Sequence, residues 1–231
     1  PPPRIADGIA CIYILKCGNG FYVGETESIS SRISQHRRRF GNDITVGIIP
    51  IKENNGGRSI ARYYESYFMS IRSRISIIIP YYRKKKYFQE TIKSILNQTY
   101  KNYEVIVIYD DTSLDELEFV ISNLNKIKNK KLIINNKNYG VGFSRNRGIS
   151  QARGTYIAFC DADDVWKKNK LYSQLKFMFK NDLEISYTNY FIINEKSKII
   201  GKFKSLKKLN YKDLLKSCDI GLSTIILNKK F

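Results

Sequence analysis

From Ile75 onward the chain repeats one hydrophobic rhythm. Ile75-Ser76-Ile77-Ile78-Ile79-Pro80 is an apolar run closed by proline, the mark of a strand buried on both faces of a parallel sheet. A helical period over 87–96 follows, then a strand over 103–108 that stops at Asp110-Asp111. A helix over 114–128, a strand over 131–135, a helix over 142–152 and a strand over 155–160 continue the alternation. That last strand runs into Asp161-Ala162-Asp163-Asp164, and a helix over 166–180 comes next. A late apolar run over 223–227 reads as one more strand. The pattern predicts an α/β sheet with helices on both faces. Ligands of such sheets bind beyond the carboxyl ends of the strands, where both acid clusters fall.

The first third has a different texture. Cys11-Ile12-Tyr13-Ile14-Leu15 and Phe21-Tyr22-Val23 are short β-rich runs about Gly18-Asn19-Gly20, which predicts a hairpin. Ser28, Ser30 and Ser31 precede a helical stretch to about Arg39, in which Arg32 and His36 lie four apart on one face. A second helix is expected over 60–71, with Arg62 and Glu65 on a common face.

Charge sharpens this division. The 231 residues carry a formal net charge of +19. Residues 1–74 hold nine Arg, two Lys and six acids, net +5; residues 75–231 hold four Arg, 25 Lys and 15 acids, net +14. The switch from Arg to Lys places a domain boundary at 74, giving domains 1–74 and 75–231. The hydrophobic fraction of 42% and aromatic fraction of 13% exclude a disordered basic tail. No apolar run reaches the ~20 residues of a membrane span, and Pro1-Pro2-Pro3 does not open a signal peptide. Cys11, Cys17, Cys160 and Cys218 lack C-x-x-C spacing, which suits reduced thiols in a cytoplasmic setting. Lys84-Lys85-Lys86 and Lys207-Lys208 suit phosphates or peripheral contact with an anionic membrane, although such runs are commonly solvated faces.

In the first domain, tyrosines on a hairpin, an Arg/His helix face and a carboxylate suit phosphodiester cleavage. A carboxylate holds a hard cation, Arg clamps phosphate, and Tyr or His relays a proton. The same residues suit an ordinary small α/β domain with packed tyrosines and solvated charges. Cys11-Ile12-Tyr13, Tyr22-Val23-Gly24, Arg32-x3-His36 and Glu65 resemble the GIY-YIG endonuclease pattern, with Cys11 in place of the first Gly. Phe21–Thr26 and Gly57-Arg58-Ser59 are most similar to GIY-YIG domains attached to MutS-related proteins. That resemblance implies metal binding by Glu65 and water deprotonation aided by Tyr13. It implies phosphate positioning by Tyr22, Arg32 and His36, and DNA as a partner.

In the second domain, carboxylates gathered at a strand end repel one another unless a cation or donor-rich ligand is present. Asp161 and Asp163 can chelate Mg²⁺ or Mn²⁺ through oxygen, Asp110 can accept a base N–H, and Ser113 can donate a hydrogen bond. Asp163 or Asp164, most readily Asp164, also suits helix N-capping. Gly140-Val141-Gly142 lacks the third glycine of a dinucleotide fingerprint and reads as a turn between strand and helix.

Several segments resemble family 2 glycosyltransferases. They are Ile77–Tyr82, Ser94–Tyr100, Val107–Ser113, Ser144-Arg145-Asn146-Arg147-Gly148 and Gly154–Asp164. The resemblance implies a GT-A, Rossmann-like nucleotide-diphospho-sugar transferase fold and sugar transfer, usually inverting, from a nucleotide-sugar donor to a glycan or lipid-linked acceptor. Pro80 and Tyr82 would line the nucleoside pocket, and Asp110, with Asp111, Ser113 and Asn146, would contact the donor. Asp161 and Asp163 would form the DxD motif that grips diphosphate through metal. Thr112 stands where the family usually has Gly. The family's general base follows a strand like 223–227. Asp213 and Asp219 lack its context, so the base is expected beyond Phe231 and the chain is expected to bind donor and metal but transfer sugar poorly. A nuclease acting through residues 1–74, and a binding protein without catalysis, remain the competing readings.

Overall fold

The structure, a computed structural model, describes residues 11–17, 20–26, 31, 34, 35, 38, 44–50, 73–204 and 220–230. The chain divides into two compact units, Pro1–Arg72 and Ser73–Phe231.

In the first unit, β1 (Cys11–Cys17) and β2 (Gly20–Thr26) form the expected antiparallel hairpin. A third strand, β3 (Ile44–Pro50), joins the other edge of β1, so the order is β2-β1-β3. Tyr13 pairs with Gly24 and Leu15 with Tyr22. Because alternate residues share a face, this register puts positions 13 and 22 on one face, diagonally opposed. Ser31, Ser34, Gln35 and Arg38 are helical and exposed. Arg32, His36, Glu65 and the helix expected over 60–71 lie outside the described residues.

The second unit is built on a six-stranded sheet. Its central strands are β4 (Ile75–Tyr81), β5 (Tyr103–Tyr109), β6 (Lys130–Ile134) and β7 (Tyr156–Phe159), parallel in the order β6-β5-β4-β7. Four helices alternate with them: α1 (Lys85–Leu96), α2 (Leu114–Leu124), α3 (Val141–Gln151) and α4 (Lys170–Asn181). Two short strands, β8 (Ile185–Ser186) and β11 (Ile226–Asn228), extend the β7 edge. Between them in sequence, β9 (Tyr190–Ile193) and β10 (Ile199–Phe203) pair as a separate antiparallel hairpin.

The uninterrupted apolar run of β4 follows from cover on both faces. Ile78, Ile106 and Ile108 lie on one face beneath α3, where Gly148 is so close that a Cβ would stand 2.5 Å from Ile78 Cγ2. On the opposite face Phe88 of α1 meets the Tyr81 ring edge-on at 4.9 Å, and Ile77, Ile79, Val105 and Val107 are fully buried. Each such side chain contributes roughly 1.5–3 kcal/mol relative to exposure. At the amino end of β4 the polar Ser76 is also buried, and it is satisfied. Its hydroxyl donates to Glu104 Oε1 at 2.6 Å, Gly154 N–H donates to its Oγ at 2.8 Å, and Arg74 lies 3.3 Å from Glu104.

Four details differ from the sequence expectation. The sheet is mixed, because β11 runs antiparallel to β7 and to β8. Helix α2 stops at Leu124, four residues early, at the cap residue Asn125. Helix α4 begins at Lys170 instead of 166, because Trp166 is tied into the loop: its N–H donates to Ser94 Oγ at 3.1 Å and its indole N–H to the Ser223 carbonyl at 3.0 Å. Asp164 therefore does not cap this helix; Asn169 holds the cap position without a side-chain hydrogen bond. Finally, Thr112 needs no glycine-like backbone. The positive-φ residues other than glycine are Arg83, Asp182 and Ser197 among those described.

Candidate functional site

The carboxyl ends of β4, β5 and β7 converge with the start of α3. Strand β4 delivers Pro80 and Tyr81, followed by the loop residues Tyr82, Arg83 and Lys84. Tyr81 is buried, stacked on Tyr109 at 5.5 Å, and donates to Glu116 Oε2 at 2.6 Å; burial, with Glu116 beside it, pushes its hydroxyl well above the ordinary tyrosine range. Tyr109 donates to the Ser113 carbonyl, and burial pushes it up to about 12. The residue after Tyr81, Tyr82, is exposed, with the Arg83 guanidinium 5.0 Å from its ring centroid. Arg83 adopts φ +49°, a left-handed conformation uncommon for a side chain of its size.

Two adjacent acids after β5 have separate duties. Asp110 is 3% exposed, and its carboxylate is consumed within the fold. Oδ1 accepts from Asn135 Nδ2 at 2.6 Å and from Tyr139 N–H at 2.9 Å, and Oδ2 accepts from Gly140 N–H at 2.8 Å. It thereby shapes the loop into α3, where Gly140 takes φ +87°. Asp111 is also buried, but only Oδ1 is engaged, by Thr112 N–H at 2.7 Å and Ser113 N–H at 3.3 Å. Asp111 Oδ2 is buried without a hydrogen-bond partner, with Arg83 Nε 3.8 Å away, too long for a hydrogen bond. Ser113 is occupied as the α2 cap, accepting from Glu116 N–H. Asn146 is exposed on α3.

After β7 each motif acid faces a cation. Arg145 Nη2 donates to Asp161 Oδ1 at 2.6 Å, and Lys84 Nζ lies 2.7 Å from Asp163 Oδ2. The hydrogen bond to Asp163 raises the Lys84 ammonium above its usual range. Asp164 is exposed, yet its carboxyl is pushed up by partial desolvation and by Asp161 and Asp163, against a lowering by the Ser223 hydroxyl and Lys84. The backbone here is fixed from the far edge of the sheet: Asp161 N–H donates to Ser223 Oγ at 2.8 Å. Cys160 is a buried free thiol, pushed well up by burial.

The structure thus brings together Tyr82, Asp111, Asp161 and Asp163 from the expected set, with Asp110 and Ser113 behind them as builders. Tyr13 and Tyr22 lie in the other unit, and Asp213 and Asp219 lie outside the described residues. Sequence reading offered Lys84 to phosphates only as part of a three-lysine run, and gave no site role to Arg145 or Ser223. Arg145 carried its signal inside Ser144–Gly148. Ser223 had none, because its role depends on a strand far along the chain returning to β7.

Residues 76–227 match the family described as Glycosyl transferase family 2. The chain belongs to this family. Relatives within it include the Escherichia coli UDP-Glc:alpha-D-GlcNAc-diphosphoundecaprenol beta-1,3-glucosyltransferases WfgD and WfaP. WfgD is 40% identical over 155 residues, covering 67% of this chain and 60% of WfgD. WfaP is 42% identical over 158 residues, covering 67% of this chain and 61% of WfaP. The chain therefore spans about 60% of the length of these curated relatives. Among solved structures, Staphylococcus aureus TarS 1-349 in complex with UDP-GlcNAc superposes with a TM-score of 0.55 at 24% identity, over 68% of this chain and 45% of TarS. The mannosyltransferase PcManGT from Pyrobaculum calidifontis, in complex with GDP-Man and Mn2+, gives 0.52 at 14% identity, over 75% and 53% of the two chains. Both establish the nucleotide-sugar transferase fold for this family 2 chain.

Family 2 membership directs attention to metal at Asp161 and Asp163. Both are partly exposed hard oxygen donors, and each ion pair engages one oxygen of its carboxylate. No group of three or more His, Cys, Asp or Glu side chains is placed to cage a metal among the described residues. The donor set suits a hard divalent cation held by one or two carboxylates and completed by phosphate oxygens.

Proposed function

We propose that this family 2 chain binds a nucleoside-diphosphate sugar, a UDP-sugar in the first instance, and serves transfer of the sugar to a lipid-linked acceptor. The observation that carries the reading is the set of acids with spare acceptor capacity at the carboxyl ends of the two strands that flank β4. Asp111 Oδ2, buried without a hydrogen bond, lies at the end of β5, and Asp161 and Asp163, each with one oxygen in an ion pair and one outside it, lie at the end of β7. The names of WfgD and WfaP support uridine as the nucleoside and a diphospholipid as the acceptor.

In this reading Asp111 Oδ2 accepts the N–H of the base, the role that Asp110 cannot fill while its oxygens hold the 135–140 loop. A carboxylate accepts only, so bases offering an N–H at that edge are favoured. Tyr82 supplies a face for the nucleoside, and Asp161 and Asp163 hold Mg²⁺ or Mn²⁺. When bound, the cation neutralises charge on the leaving diphosphate. Arg145 and Lys84 keep the two acids oriented and offer donors to the phosphates. Titration calorimetry with UDP-glucose and Mn²⁺ tests this: we expect saturable binding, weakened about tenfold or more in Asp161→Asn and in Asp111→Asn. Absence of binding by any nucleotide sugar with either cation would overturn it.

For the first unit we propose metal-dependent DNA cleavage of the GIY-YIG kind. The hairpin register that puts positions 13 and 22 on one face favours it. Plasmid nicking with Mg²⁺ that disappears in Glu65→Ala is the expected result; nicking unaltered by Glu65→Ala would end that reading.

A further inference from the structure

The hairpin β9–β10 is unlike the rest of the second unit. It forms its own two-stranded sheet, and residues 191–200 are all exposed. One aromatic pair, Tyr190 and Phe203, stacks at 4.9 Å near its base. Farther out, Ile192 is 47% exposed, Ile193 39%, Ile199 56% and Ile200 63%. Four isoleucines on a 14-residue excursion is more apolar surface than a solvated hairpin needs, and they are interleaved with cations. Residues 190–204 hold Lys196, Lys198, Lys202 and Lys204 against one acid, Glu195. That acid is already paired, 2.8 Å from Lys86 Nζ. Beside the hairpin, Lys167 sits 4.5 Å over the Phe191 ring.

Interleaved isoleucine and lysine is chemistry for one kind of surface. Protein interfaces are depleted in lysine at their centres, and a second copy of this hairpin would bring the same net +3 against its partner. At a bilayer surface the two residue types have separate places. Branched side chains enter the acyl boundary, while lysine stems run along it with their ammonium groups among anionic headgroups. The hairpin is also fastened to the helix that leads away from the proposed donor site. Glu195 accepts from Tyr87 as well as Lys86, and Ser197 Oγ–H donates to Glu90 at 3.3 Å, which ties the tip to α1. That helix begins immediately after Lys84, the partner of Asp163.

We infer that β9–β10 is the element by which the protein seats itself on an anionic phospholipid surface, with the donor cleft held next to the bilayer. The inference extends the proposed function, since a lipid-linked acceptor must be met at a membrane, but the contact can be measured without that reaction. Sedimentation of the full chain with phosphatidylcholine vesicles, with and without phosphatidylglycerol, provides the test. Binding is expected with phosphatidylglycerol and not with phosphatidylcholine alone. Lys196→Gln/Lys198→Gln should weaken it about 25-fold, at about fivefold per lysine. Ile199→Ser/Ile200→Ser should weaken it about tenfold or more, with an unchanged melting temperature. Light scattering on the same samples reads self-association. A wild-type dimer that Ile199→Ser/Ile200→Ser converts to monomer, with vesicle binding untouched, overturns the inference. So does vesicle binding that ignores both variants. If UDP-glucose binds but vesicles do not, the hairpin inference falls and the proposed function stands. If vesicles bind but no nucleotide sugar does, the proposed function falls and the hairpin inference stands.

Discussion

An alanine methyl at Gly154 would stand 2.6 Å from the Ser76 amide nitrogen and 2.7 Å from the Arg74 carbonyl oxygen. Both are backbone atoms at the entry to β4, so neither can swing away, and the Gly154 N–H that serves Ser76 Oγ would shift with them. Gly154→Ala should cost about 2–3 kcal/mol, read as a lower urea midpoint. Gly148→Ala also meets a crowded site, 2.5 Å from Ile78 Cγ2 and 2.9 Å from Ile108 Cδ1, but both are side-chain atoms rather than backbone, and a helical alanine regains about 1 kcal/mol over glycine. Its loss should be the smaller of the two. A different strain sits at Lys170. Its Nζ is buried without a hydrogen-bond partner, 4.2 Å over the Trp166 ring, and burial pushes its pKa down to about 7, against a small opposing influence of Cys160. The unfolded chain holds that proton up to about 10.4. Between about 7 and 10.4 the unfolded state therefore binds more protons, and stability rises with pH through this window. Lys170→Met removes the penalty on the charged form. It should raise stability by about 1–3 kcal/mol at pH 6 and by little at pH 10, measured as urea midpoints at the two pH values.

At the level of elements, what could be read in advance followed from burial. Strands β4 and β5 are covered on both faces, so their apolar runs announced them, and the acids ending β5 and β7 marked the edge of the sheet where the donor is proposed to bind. Direction and partnership were less legible. A short apolar run such as Ile226–Asn228 has the same composition whichever way it points, and nothing local says that β11 runs antiparallel to β7. The strands β9 and β10 escaped because exposure on both sides leaves no period of two to detect. The division of labour between Asp110 and Asp111 was hidden for a related reason. It is set by Asn135, Tyr139 and Gly140, which only the fold brings back to β5. The 3-10 turn at Leu222–Thr224 makes the same point and can be tested. Through Ser223 it takes the Asp161 N–H on its hydroxyl and the Trp166 indole on its carbonyl, so it sets the height of the motif loop. Ser223→Ala keeps the carbonyl contact and loses the hydroxyl. Affinity for UDP-glucose with Mn²⁺ should fall about three- to tenfold by calorimetry, the equivalent of one net hydrogen bond, while the melting temperature changes little.

Across the molecule the net charge of +19 is spread over two units with different chemistry, an Arg-rich one ending near Arg72 and a Lys-rich one beginning near Ser73. In the second unit the cations at the proposed donor site are paired, Lys84 with Asp163 and Arg145 with Asp161, and the others at issue lie along β9–β10. None of these groups belongs to the first unit, and every side chain proposed to touch donor lies after Ser73. If the two units carry separate activities, substitutions should separate them. Glu65→Ala should abolish Mg²⁺-dependent nicking and leave the UDP-glucose dissociation constant within about twofold of the parent, because substitutions at sites that share no partners add without coupling. Asp161→Asn should do the reverse, weakening donor binding about tenfold or more while nicking proceeds at the parental rate. Calorimetry and plasmid nicking on the same preparations measure both. Loss of donor binding in Glu65→Ala, with the melting temperature retained, would mean that the first unit contributes to the donor site, and the two-activity reading would have to be replaced by a single composite one.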